Sequence, residues 1–219
     1  MTQALPFRAR PAAVGRDPAL LAGGVLAGPL FAGSVLAQGF TQDGFDFRRH
    51  PASVLSNGDL GWVQIATFLA SGLLVLGAAA ALGRRDLGAR WLPRLLALYG
   101  TGLVLAGIFR ADPADGFPTG TPSGPGQVSW HGGLHFLAAA IGFVALIVAA
   151  VAAARRGARR GERGWAAYSL ASGVCFGAAW VAMIARPGPL TMVGFGLAVA
   201  VGWAWVTATL WRVEHRRNV

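Results

Sequence analysis

His131 and His135 stand four residues apart and so project from one face of a helix, while His50 lies in a polar stretch far upstream. Imidazoles at this spacing can ligate a divalent ion such as zinc, with an aspartate, Asp112 or Asp115, and a water completing four-coordination. Residue 132 is Gly, so the pair lacks the built-in glutamate base of zinc peptidases. The same histidines, at a helix start near lipid headgroups, can instead hydrogen-bond loop carbonyls and carboxylates, or serve a proton-linked or ligand-binding role. Arg48, Arg49 and Arg110 likewise have two uses. With Asp46 and Trp130 they can bind a phosphate or carboxylate ligand, or they can pair with Asp43, Asp46, Asp112 and Asp115 and hold loops together.

Several chemistries find no support. The sequence contains no phosphate-cradling loop, dinucleotide fingerprint or nucleophile elbow. One cysteine, Cys175, makes neither an internal disulfide framework nor a cysteine-only metal site. No histidines occur at matched depth in the apolar stretches, as a bis-histidine haem requires, and no carboxylate chain runs through them as in a proton pump.

The elements that must position the histidines follow from composition. The 219 residues are 54% hydrophobic and 13% charged, about half the charge of a soluble domain. Such a chain cannot cover a water-facing surface. Apolar windows long enough to span hydrocarbon run over Pro18–Gln42, Leu60–Gly83, Leu95–Phe109 with Trp91–Pro93 before it, a segment starting near Trp130 and reaching Ala154, Gly164–Ala185 and Pro187–Trp211. The third is short, with Arg94 and Arg110 at its ends able to snorkel. Val35-Leu36-Ala37 resembles a cleavage site, but the apolar run before it exceeds a signal core, and it reads as a retained helix. Pro29 should kink it.

The expected fold is therefore an all-α, polytopic six-helix bundle over residues 18–212, with segments 1–17 and 213–219 flanking it. All 19 basic residues are arginine, and fifteen fall on the side of the termini against four on the other, Arg48, Arg49, Arg110 and Arg186. This asymmetry places both termini in the cytoplasm and the protein in the cytoplasmic membrane of the cell. The net charge of +10 is spread over every terminal-side segment, which fits anionic lipid contact and argues against nucleic acid as a partner. Trp62 and Trp130 mark the outer boundary, and Trp91, Trp165 and Trp211 the inner one. His215, among arginines in the tail, reads as solvated. Gly24 with Gly28, and Gly173 with Gly177, allow close helix approach within the bundle.

Polarity concentrates in two long outer loops, from about Gly39 to Gly61 and from Arg110 to Ser129. In the first, Asn57-Gly58-Asp59 reads as a turn with Asp59 an N-cap for the second span. Asp112 before Pro113 reads as a turn position. Together with the start of the fourth span these loops form a polar cap, in which His50, Asp112, His131 and His135 are expected to converge.

The stretches Phe47–Leu55, Asn57–Trp62, Gly107–Pro113 and Trp130–His135 resemble those of a bacterial six-span membrane family known as domain of unknown function 998. The resemblance covers about Gly23 to Trp211 and implies fold and membrane residence, with no activity to carry over. By residue type the cap is also similar to alkaline ceramidase-like membrane hydrolases. That parallel implies His50, His131 and His135 as zinc ligands, Asp112 orienting water and Ser53 supporting an oxyanion, although the span count and the loop position of His50 differ. Three functions stand open: a non-enzymatic scaffold or partner of other membrane-protein subunits, a metal-dependent hydrolase, and a binder of lipids or small molecules.

Overall fold

In lipid every backbone N–H and C=O must find its partner inside the segment, so long charge-free stretches become helices. The computed structural model describes residues 17–84, 90–124 and 126–215. Among these, six helices are long and apolar enough to cross a membrane: α1 (Asp17–Thr41), α2 (Gly61–Gly83), α3 (Trp91–Ile108), α4 (Trp130–Arg159), α5 (Arg163–Ala185) and α6 (Pro189–His215). The expected segment 1–17 lies outside the described residues except for Asp17, and the tail beyond His215 likewise. α4 and α6 continue past the expected ends at Ala154 and Trp211. Arginine is a good helix former, and 30 residues at about 1.5 Å each give about 45 Å, so α4 outreaches the hydrocarbon. Pro29 is accommodated within a continuous α1.

Each helix packs on its neighbours in sequence, and α6 packs back on α1, closing a ring. Glycine sets the approach. A Cβ on Gly72 of α2 would lie 2.8 Å from the Gly100 carbonyl of α3, and one on Gly102 would lie 2.8 Å from the Ala138 carbonyl of α4. Gly24 and Gly28 face Ala78, Thr207 and Trp203 of α2 and α6, and Gly173 and Gly177 face Ala150 and Ile147 of α4. Close backbone contact replaces the hydrophobic drive that lipid does not supply. The centre of the ring is filled by aromatic side chains. The buried Trp203 ring of α6 meets Phe31 of α1 at 5.1 Å and Tyr99 of α3 at 5.4 Å, and Phe31 meets Phe68 of α2 at 5.5 Å. Trp205 donates its indole N–H to Ser169 of α5 at 3.0 Å, so this buried polar tip is satisfied.

Between α1 and α2 a 3-10 helix (Ala52–Asn57) leads directly into α2. This corrects the expected cap: α2 begins after Leu60 with no side-chain hydrogen bond, and Asp59 remains in the turn. The Gly61 N–H bonds the Gly58 carbonyl instead, and Gly61 presses on the Ser56 backbone where a side chain has no room.

Candidate functional site at the histidine-bearing end

At this end α3 stops and α4 starts, which strands carbonyls of one helix beside amides of the other. The two histidines of α4 serve the first set. His135 is buried and directs Nδ1–H at the carbonyls of Ala106 and Phe109, both at 2.9 Å. His131, one turn nearer the surface, directs its Nδ1–H at the Arg110 carbonyl at 3.0 Å. Asn57 of the first loop donates to the next carbonyl, Ala111, at 2.9 Å. The i, i+4 spacing thus matches the rise of the α3 terminus beside it.

Asp112 serves the second set. Its carboxylate accepts the Ser129 N–H at 2.8 Å and the Ser129 hydroxyl at 2.7 Å. Ser129 is the α4 N-cap, its Oγ accepting the Gly132 N–H at 3.1 Å. A negative group here also opposes the positive end of the α4 dipole. His131 Nδ1 lies 3.7 Å from Asp112 Oδ1, too far for a hydrogen bond. α3 and α4 therefore terminate each other.

His50 belongs to a different cluster. Its Nδ1 accepts the Asp46 N–H at 3.0 Å, which fixes the tautomer, and Nε2–H donates to the Asp115 carbonyl at 3.0 Å. The ring is buried between Phe45 and Phe117, 5.4 and 5.6 Å away, in a small apolar core completed by Val54 and Leu55. Arg49 reaches the same Asp115, donating from Nε at 3.1 Å and from Nη2 to a carboxylate oxygen at 3.0 Å and the carbonyl at 2.6 Å. Asp115 adopts a left-handed φ of 50° and also accepts the Gly124 N–H at 2.9 Å. The Arg49 guanidinium, then that N–H, hold its carboxyl down at about 2. Arg48 does the same for Asp46, also to about 2, through a paired contact within one turn.

The expected convergence of four ligands does not form. Both ring nitrogens of His50 are engaged with backbone, and those of His131 and His135 that face α3 are donors to carbonyls. Among the described residues no group of three or more His, Cys, Asp or Glu side chains is arranged to hold a metal ion. Ser53 sits in the 3-10 helix, where its carbonyl takes the Ser56 hydroxyl at 2.7 Å, and its own hydroxyl bonds none of the histidines or Asp112. Of the proposed arginine pairs, Arg48–Asp46 and Arg49–Asp115 form, whereas the Arg110 side chain is exposed. Trp130 is 75% exposed, its ring edge against Phe109 and His131, as a headgroup anchor would be.

One further polar feature carries no charge, so an inventory of ionisable residues does not contain it. Below the cap, Ser34 and Gln38 of α1 and Gln42 just past its end are spaced i, i+4, i+8, and Gln64 and Thr67 of α2 face Gln38 and Ser34. Gln38 donates to the Ser34 carbonyl at 3.2 Å and to Gln64 Oε1 at 2.9 Å, while Gln42 donates to Gln38 Oε1 at 3.3 Å. Ser34 and Thr67 share a 2.6 Å bond. The Ser34 carbonyl can only accept, so it sets the direction of all three amides. This leaves Gln64 Nε2 and Gln42 Oε1 buried without a partner, one at each end of the chain. Small-polar residues at helical spacing in two consecutive spans were the available signal.

A family model described as protein of unknown function, DUF998, matches residues 25–212. The chain belongs to this family. No curated protein and no solved structure matches it. The matched DUF998 region contains both loops and all six spans except the first turns of α1 and the last of α6.

Proposed function

We propose that this DUF998 protein is a non-enzymatic scaffold or partner subunit of the cytoplasmic membrane, with both termini in the cytoplasm and a rigid polar cap on the outer face. The observation that carries the proposal is the reciprocal termination of α3 and α4. The residues with the most chemical potential, His131, His135 and Asp112, already have backbone partners that would be left unsatisfied if they turned to a substrate. His50, Arg49 and Asp115 are similarly committed to joining the two loops. A cap built this way presents a fixed surface, as a docking partner requires.

The test is elemental analysis of detergent-purified protein expressed with supplementary zinc, together with His131→Ala and His135→Ala variants. The expected results are no stoichiometric metal and variants that still insert and fold, His135→Ala being the less stable because two carbonyls lose their donor. Stoichiometric zinc abolished by either substitution would replace the scaffold with a metal-dependent site.

A further inference from the structure

Two of the three arginines that could take an anion at the histidine-bearing end are spent, Arg48 on Asp46 and Arg49 on Asp115. Arg110 is not. Its side chain is exposed and bonds nothing among the described residues. Its carbonyl takes the Nδ1–H of His131, so the guanidinium stem starts beside that ring, and the Trp130 ring lies 5.6 Å from His131 and 6.4 Å from Phe109. The indole N–H of the exposed Trp130 likewise has no acceptor among the described residues.

His131 contributes the opposite kind of group. A carbonyl can only accept, so Nδ1 carries the proton of the neutral ring and Nε2 keeps a lone pair. Nothing among the described residues donates to that nitrogen, and the side chain is 36% exposed. The adjoining acid, Asp112, lies on the Nδ1 side at 3.7 Å, and its oxygens accept the Ser129 N–H and hydroxyl. This corner of α3 and α4 therefore offers two unspent donors, one of them charged, and one unspent acceptor.

The surface that continues from the corner is apolar. Trp130, Leu134, Leu137 and Ile141 recur at i, i+4, i+7 and i+11 on α4, and all four are exposed. At about 1.5 Å per residue the strip is about 16 Å long, close to one leaflet of a hydrocarbon core about 30 Å thick. A soluble anion leaves such a strip uncovered, whereas an acyl chain below a headgroup covers it.

We infer that this corner holds a phospholipid whose phosphodiester accepts from Arg110 and the Trp130 N–H, whose headgroup hydroxyl donates to His131 Nε2, and whose acyl chain lies along Leu134, Leu137 and Ile141. A glycerol headgroup joins one negative phosphodiester to free hydroxyls and so matches all three polar groups. A choline headgroup has neither the net charge nor the hydroxyl. Such a lipid is compatible with the scaffold reading and depends neither on it nor on which compartment this end faces.

The experiment is thermal unfolding of the full chain in non-ionic detergent at fixed ionic strength and about pH 8, where an ordinary imidazole is neutral. The micelles are doped with phosphatidylglycerol, with phosphatidylmethanol, which has the same charge but no hydroxyl, or with phosphatidylcholine, and a fourth arm adds glycerol 3-phosphate in solution. The wild type should be stabilised by both anionic lipids over phosphatidylcholine, with about fivefold less phosphatidylglycerol than phosphatidylmethanol needed for the same shift. Arg110→Gln should need about tenfold more of either anionic lipid. His131→Asn keeps an N–H at the Nδ1 position for the Arg110 carbonyl and removes the ring atom with the lone pair, so it should respond equally to the two anionic lipids. Arg186→Gln, on the turn between α5 and α6, should match the wild type. Equal response of the wild type to phosphatidylglycerol and phosphatidylcholine, or an undiminished response in Arg110→Gln, would overturn the site. Equal response of the wild type to the two anionic lipids, a comparison that needs no variant, would overturn the hydroxyl contact, and glycerol 3-phosphate acting as well as the lipid would replace the lipid with a soluble anion.

Discussion

The Asp112 carboxylate occupies the space that a side chain at Gly132 would need: a Cβ built there overlaps Asp112 Oδ2. The glycine of the Trp130-His131-Gly132-Gly133 run is thus the seat of the group that caps its own helix. Gly132→Ala must expel the carboxylate, and with it two hydrogen bonds to Ser129. The expected loss is about 2 kcal/mol. Asp112→Ala, which removes the same bonds, should cost a similar amount. The double variant should be little worse than either, since the clash has gone. A double-mutant cycle by thermal unfolding in detergent reads this directly, and additive losses would contradict the contact.

Asp115 ties the second loop to the first, and its stabilising effect has a defined pH range. Its folded carboxyl is depressed from 3.8 to about 2 by Arg49 and the Gly124 N–H. A depressed acid stabilises the fold fully above its unfolded value and loses that contribution as pH falls through the folded one. Hydrogen exchange at the Gly124 amide, corrected for intrinsic rate, should therefore be protected above about pH 4 and lose protection toward about pH 2. In Arg49→Gln the protection should fail at higher pH. An unchanged profile would remove the Arg49–Asp115 pair as the tie.

His50 should be intolerant of truncation because both its ring nitrogens hold backbone groups of the two loops. His50→Ala leaves the Asp46 N–H and the Asp115 carbonyl without partners in a buried place and opens a void between Phe45 and Phe117. A loss of about 3 kcal/mol is expected. Protease cleavage confined to the two loops, with the helices intact, would be the accompanying sign. Wild-type stability in this variant would show that the ring is not a structural wedge.

The amide chain between α1 and α2 predicts an asymmetry. Gln64→Met removes one accepted bond but also a buried donor with no partner, so its effect should be under about 1 kcal/mol. Gln38→Met strips partners from both Gln42 and Gln64 and should cost about 2 kcal/mol. Equal effects would mean that the orphan at Gln64 is satisfied in the membrane.

The proposed orientation is tested with single cysteines in a Cys175→Ala background. Ser123→Cys on the second loop should react with a membrane-impermeant thiol reagent on intact cells, and Ala158→Cys at the end of α4 only after lysis. Both positions are exposed, so access is decided by the membrane alone. The reverse pattern would invert the topology.

Sequence by itself determined the six spans, because the cost of burying a charge or an unpaired amide in hydrocarbon acts on each segment alone. It also marked the polar end and the Arg48, Arg49 and His50 turn, since those residue types cluster within a few positions. What only the tertiary structure decided is who meets whom. Asp112 and Gly132 are twenty residues apart, and Arg49 and Asp115 sixty-six. Nothing in local spacing distinguishes a histidine aimed at a metal from one aimed at the open end of the helix beside it. That choice depends on where α3 stops relative to α4, which is a matter of how the two helices pack. For His135 the packing brings the Ala106 and Phe109 carbonyls within reach of its ring.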